Sequence, residues 1–217
     1  MSRKGDDDEP TDRVTDALLH GSAYERLRFR RHGFFQQPIP QKIRAGSGLL
    51  FALAGVLPLM AAFPVGVRET VGPVPMASPK IIVLGLIGGT VVFVCGLGLA
   101  TLGAARLRLE GRMTEERAHT LLSLEEVASL LGLGTGGLAI LLTLGFVLLG
   151  HGGMRAVETY IRLAGRSPYA ASGVPITVAE VATSAFVAAV ALYVLAQAIH
   201  LQFRLRLDAS GADPIRG

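Results

Sequence analysis

Four stretches without a single Asp, Glu, Lys or Arg constrain this chain more than any other feature: Ala45–Val67 (23 residues), Ile81–Ala105 (25), Val127–Met154 (28) and Val181–Phe203 (23). The hydrocarbon core of a bilayer is about 30 Å thick and takes about 20 helical residues to cross. A non-helical backbone would leave its polar groups unpaired there. Each run meets that length. Helices buried in a large globular core would also be apolar on every face, but the rest of this chain is short, charged or rich in Gly and Pro, and cannot cover four of them.

The sequence therefore predicts an all-α integral membrane protein: a bundle of four transmembrane helices with short amphipathic interfacial helices. A cytoplasmic N-terminal segment covers 1–44, a transmembrane domain covers 45–203, and a cytoplasmic tail covers 204–217. The spans are expected at about 48–66, 81–103, 131–150 and 178–201.

Lys and Arg set the expected orientation. The N-terminal segment, second connector and C-terminal tail hold 9, 4 and 3 of them, against 2 and 3 in the first and third connectors. Basic residues collect on the cytoplasmic side, so a cell-membrane protein with both termini cytoplasmic is expected. The same asymmetry explains the pI of about 9.6 without an acidic partner.

The N-terminal segment changes character along its length. Asp6, Asp7, Asp8, Glu9, Asp12 and Asp16 mark a solvated tail with too little apolar surface to order. No continuous apolar h-region precedes the first span, which must act as its own insertion signal. Ser22-x-x-Glu25 has the form of a capping box. It opens a basic stretch in which Arg26, Arg28, Arg30 and Arg31 alternate with Leu27 and Phe29. That composition suits an anionic lipid surface. Arginines interleaved with rings also suit nucleic acid, but a position beside a span already explains the charge, and no nucleic-acid partner is expected. Pro38 and Pro40 should break this segment before the first span, and Pro58 should kink the span itself.

Small residues four apart share a helix face and let another backbone approach. Gly85 and Gly89 make one such pair in the second span, Gly96 and Ala100 another, and Gly132 and Gly136 a third in the third span. These faces serve either packing within the chain, the commoner use, or an interface with a second copy or another membrane protein. Cys95, the sole cysteine, cannot form an internal disulfide and reads as packing.

Ser123–Gly150 holds three overlapping patterns. Ser123-x-x-Glu126 reads as a capping box that starts a helix. LEEVASLLGLG resembles the opening of a helix-turn-helix, but the residues after it carry nothing that could read a groove. Gly132-Leu133-Gly134-Thr135-Gly136-Gly137 matches G-x-G-x-x-G without the preceding strand that a dinucleotide site requires. A 28-residue uncharged helix would be about 42 Å long. It should tilt, or bend at the glycines, and the expectation is an interfacial amphipathic helix at Leu124–Leu131 with the span proper from about Leu133 to Gly150.

Met154, Val157, Tyr160, Ile161 and Ala164 then follow helical spacing, predicting a short interfacial helix before Gly165. Thr177-x-x-Glu180 is a further capping box at the start of the fourth span. An ionisable residue near a span is also a candidate ion or proton site, and Glu180 is the one this sequence offers. The fourth span has a polar inner half, in which Gln197 and His200 can bond a neighbouring helix.

No catalytic set, phosphate loop or ligand spacing assembles. His151 and His200 fall at opposite ends of their spans, so no shared metal or haem is expected and no cofactor is implied. The expected function is a non-enzymatic accessory or assembly subunit that meets lipid, a second copy or other membrane proteins through its small-residue faces. The alternative is a small transporter or channel with a pathway near Pro58 and Glu180.

Overall fold

The computed structural model describes residues 37–109 and 115–211, and the first helix among them starts well before the first uncharged run. Helix α1 (Ile39–Ala54) opens on Pro38 as its cap and carries Pro40 in its first turn. The first N–H groups of a helix have no partner inside it, so proline costs little there. Pro38 and Pro40 therefore open this helix, with Lys42 and Arg44 inside it; the segment they were expected to break lies outside the described residues. The acidic tail, the Ser22–Glu25 pattern and the basic patch of Arg26, Arg28, Arg30 and Arg31 lie outside the described residues.

Helix α2 (Val56–Ala61) continues α1 after a break at Gly55. The Gly55 amide donates to Phe51 at 3.1 Å and the Leu59 amide to Gly55 at 3.1 Å, which carries the helix across. Pro58 cannot donate, and its ring crowds the preceding turn, which places the break just upstream of it. Helix α3 (Val65–Val71) and a 3₁₀ turn at Val74–Met76 occupy the first connector. Next come α4 (Lys80–Leu109) and α5 (Glu115–Ser129), a π-helical segment at Leu130–Gly136, and α6 (Gly137–His151). Helix α7 (Gly153–Ala164) ends at Gly165 with φ +70°, a left-handed cap that glycine adopts without strain. It is the short helix that the Met154–Ala164 spacing predicts. Helix α8 runs Val178–Gly211, past the end expected for the fourth span.

The described residues hold no strand; Pro79 and Ala171 form an isolated antiparallel bridge. Four segments are long and apolar enough to cross a membrane: Ile39–Ala61, Lys80–Arg106, Glu116–His151 and Val178–Gln202. The first and second pack together as the centre of the bundle, and the third and fourth flank them on opposite sides. The third differs from its expected shape. Leu124–Leu131 is no separate interfacial helix, because helical structure runs from Glu116 through the glycines to His151.

Leu50, Leu53, Val92, Ile140, Val147 and Leu192 fill the interior. The small residues make room for them. A β-carbon on Gly85 would come within 2.8 Å of Leu53, one on Gly89 within 2.9 Å of Leu53, and one on Gly96 within 2.7 Å of Leu192. One on Gly132 would meet Cys95 at 2.7 Å, and one on Gly136 would meet the Gly88 carbonyl oxygen at 2.9 Å. Ala100 is buried as well. All six residues face the chain's own helices, the intramolecular use of such faces.

At one end the first and third connectors interlock. The Ser172 amide donates to Ser78 at 2.8 Å, Lys80 to Ala170 at 3.0 Å, and Val178 to Ala77 at 2.9 Å. Tyr169 is inserted beneath them, its hydroxyl donating to the Phe146 carbonyl at 2.6 Å and its ring edge against Phe63. Burial pushes that hydroxyl up to about 12.

The glycine contacts give a direct test. Gly136→Ala should cost about 1–3 kcal/mol, because the added carbon meets backbone that cannot swing aside. Gly145→Ala, with nothing within 4 Å of the new carbon, should leave stability unchanged or raise it by about 0.5–1 kcal/mol. Unfolding in mild detergent measures both.

Candidate functional site

Helix α5 is already helical at Glu115, so Ser123 lies in its interior and cannot cap it. The Ser123 hydroxyl instead turns back to the His119 carbonyl at 3.0 Å, the usual fate of serine within a helix. The expected helix start at Ser123–Glu126 is thereby corrected. What the following residues do is align a face. Ala118, Leu122, Glu125, Ser129, Gly132, Gly136 and Ile140 recur three or four apart and are all buried against the bundle.

Glu125 therefore points inward. Its Oε1 accepts a hydrogen bond from Lys42 Nζ at 2.6 Å, and the two side chains are 7% and 4% exposed. Lys42 reaches it from the first turns of α1, between Ile39 and Ile43, which are both buried. A lone charge in such surroundings is expensive, and pairing with a short charge-assisted hydrogen bond offsets that penalty. Ser129, fully buried one turn on, donates to the Glu125 carbonyl at 2.6 Å. The same turns of α1 reach the opposite flank. Arg44 Nη2 donates to Gln197 Oε1 at 2.7 Å, and Ser47 Oγ donates to the Ala189 carbonyl at 2.9 Å. Lys42 thus ties the first segment to the third, while Arg44 and Ser47 tie it to the fourth.

The π segment follows Ser129 directly. Such segments are rare, hold their hydrogen bonds one residue wider than an α-helix, and recur at functional positions. This one, LLGLGTG, is bounded by close contacts to α4 at Gly132 and Gly136.

The ion pair escaped the sequence reading because runs defined by lack of charge end wherever a charge occurs, buried or not. The signal was nonetheless present. Lys42 lies in register with Ile39, Gly46 and Leu50, and Glu125 with Leu122 and Gly132, at helical spacing.

The other candidates are dispersed. Glu180 is exposed, and its carboxylate caps α8: Oε2 accepts from the Thr177 amide at 2.8 Å and from the Thr177 hydroxyl at 3.0 Å. The Glu180 amide returns a bond to the Thr177 hydroxyl at 3.2 Å, completing the box. Glu180 borders a groove of about 770 Å³ between α1, α4 and α8 whose walls include Leu50, Leu53, Phe93 and Ala188. Pro58 is exposed and does not line it, so the two residues of the expected pathway are not brought together. Among the described residues no three His, Cys, Asp or Glu side chains are grouped to hold a metal. No protein family, curated protein or solved structure matches the chain.

Lys42→Gln should lower stability by about 3 kcal/mol, since it removes the partner of a buried carboxylate. Glu116→Gln, an exposed charge on the same helix, should leave the unfolding midpoint where it is. Chemical denaturation in detergent, followed by circular dichroism, measures the difference.

Proposed function

We propose that this chain is a multi-pass protein of the cell membrane, with both termini cytoplasmic, that works as a non-enzymatic accessory or assembly subunit. The four apolar segments support the membrane setting. The interlocked first and third connectors, which together carry 5 of the 21 Lys and Arg, support a shared, non-cytoplasmic side for that end.

The assembly reading rests on one observation above all. The buried polar side chains Lys42, Ser47, Glu125, Ser129 and Thr143 are each engaged within the chain, four of them bridging separate segments. Their arrangement builds a scaffold. Outward faces carrying Ile87, Val94, Leu138, Leu141 and Leu148 are left to lipid or to neighbouring membrane proteins. The small-residue faces are taken up internally, so partner contact falls to these outward surfaces.

Purification from its native membrane in mild detergent, with quantification of every co-purifying chain, tests the proposal. A complex with another membrane protein at fixed stoichiometry is the expected result. A self-contained oligomer that passes ions in liposomes, and stops doing so in Glu180→Gln, would replace it with the transporter reading. Orientation is checked on a Cys95→Ser background by a cysteine at Ser172, which an impermeant maleimide should reach from outside intact cells.

A further inference from the structure

The groove between α1, α4 and α8 runs along about half of the bundle and stops there. Its wall on α8 extends from Ala179 to Ala191, about 18 Å of helix at about 1.5 Å per residue. Its wall on α4 runs from Leu86 to Phe93, and Leu50 and Leu53 form its floor. These positions lie between the middle of each apolar segment and the end that carries the interlocked connectors. Just past them Leu192 packs into Gly96, where a β-carbon would come within 2.7 Å, and closes the groove. One leaflet of the hydrocarbon core is about 15 Å deep. The groove therefore has the length of a single leaflet.

Spread over that length, about 770 Å³ gives a section of about 40 Å². An α-helix with its side chains is about 10–12 Å across, a section of about 80 Å² or more. A partner's helix is too thick to enter, whereas hydrocarbon chains are slim enough. Two of the three lining hydroxyls are spent on their own helices: Thr90 donates to the Leu86 carbonyl at 2.8 Å and Ser184 to the Val181 carbonyl at 3.0 Å. Glu180 is the one ionisable residue of the lining, and it stands at the connector end. Both bonds from Thr177 fall on its Oε2, which leaves Oε1 as an acceptor at the level of lipid headgroups. We propose that the groove binds one phospholipid of the connector-side leaflet, its chains in the groove and an ethanolamine headgroup on Glu180. A primary ammonium offers three N–H donors to a carboxylate; the quaternary ammonium of choline offers none. The site goes beyond the assembly proposal and rests only on the four segments crossing a bilayer.

The full-length protein, reconstituted in nanodiscs of equal phosphatidylethanolamine and phosphatidylcholine with matched chains and then released into mild detergent, can be assayed by native mass spectrometry for the lipid it keeps. Ethanolamine lipid should be kept over choline lipid by about tenfold, the value of one charge-assisted hydrogen bond. Glu180→Gln can still cap α8, and should bring the two lipids level without moving the unfolding midpoint. Ser184→Trp, at an exposed position of the lining, should fill the groove and release both lipids. Leu148→Trp, also exposed but on α6, should behave as the wild type. An ethanolamine preference that survives Glu180→Gln, lipid retention that survives Ser184→Trp, or a polypeptide displaced by Ser184→Trp in place of lipid would overturn the proposal. A chain that does not enter nanodiscs at all would overturn the membrane setting itself.

Discussion

A lysine and a glutamate, 2.6 Å apart and both shielded from solvent, decide how the first and third segments sit against each other. Apolar packing alone is tolerant of sliding and rotation, since one aliphatic surface fits another in many ways. A buried charge has far fewer acceptable positions, because every arrangement that separates it from its partner carries a desolvation penalty. Such a pair is weak evidence for high stability, and strong evidence for a restricted geometry. Here it sets the inward face of α5, and α1, on which Lys42 stands, extends the restriction to α8 through Arg44 and Ser47.

The remaining contacts follow that frame. Close approach between α4 and the third segment depends on glycines at the crossing, Gly88 and Gly136, where backbone meets backbone. Gly96 accommodates Leu192 on the other side. The far end is closed differently, by connectors that bond each other's backbone over the buried Tyr169. One end of the bundle is thus joined by paired polar side chains and the other by backbone and ring packing. The π segment lies at the polar end, directly after the ion pair.

Much of this was legible in the residues. The uncharged runs located four long helices, and Thr177-x-x-Glu180 was readable as a cap because its bonds are local to the motif. Local logic failed where context decided. Ser123-x-x-Glu126 has the same form, yet helix already precedes it, so the serine bonds backwards. Pro38 and Pro40 stand where the first span's helix opens, at the cap and in the first turn, where a missing N–H costs little. The pairing of Lys42 with Glu125, 83 residues apart, could not be read from either neighbourhood alone. A π turn leaves no periodicity of its own, so the one at Leu130–Gly136 could not be read from the sequence.

The most direct test of this account is a double-mutant cycle on the unfolding free energy of Lys42→Gln and Glu125→Gln, with Glu126→Gln present throughout so that the neighbouring carboxylate cannot substitute. A buried, geometry-setting pair predicts that the double variant is more stable than the sum of the single losses implies, with a coupling of about 1–3 kcal/mol. Single losses that add to within about 0.5 kcal/mol would contradict it, and would show that the two charges act independently.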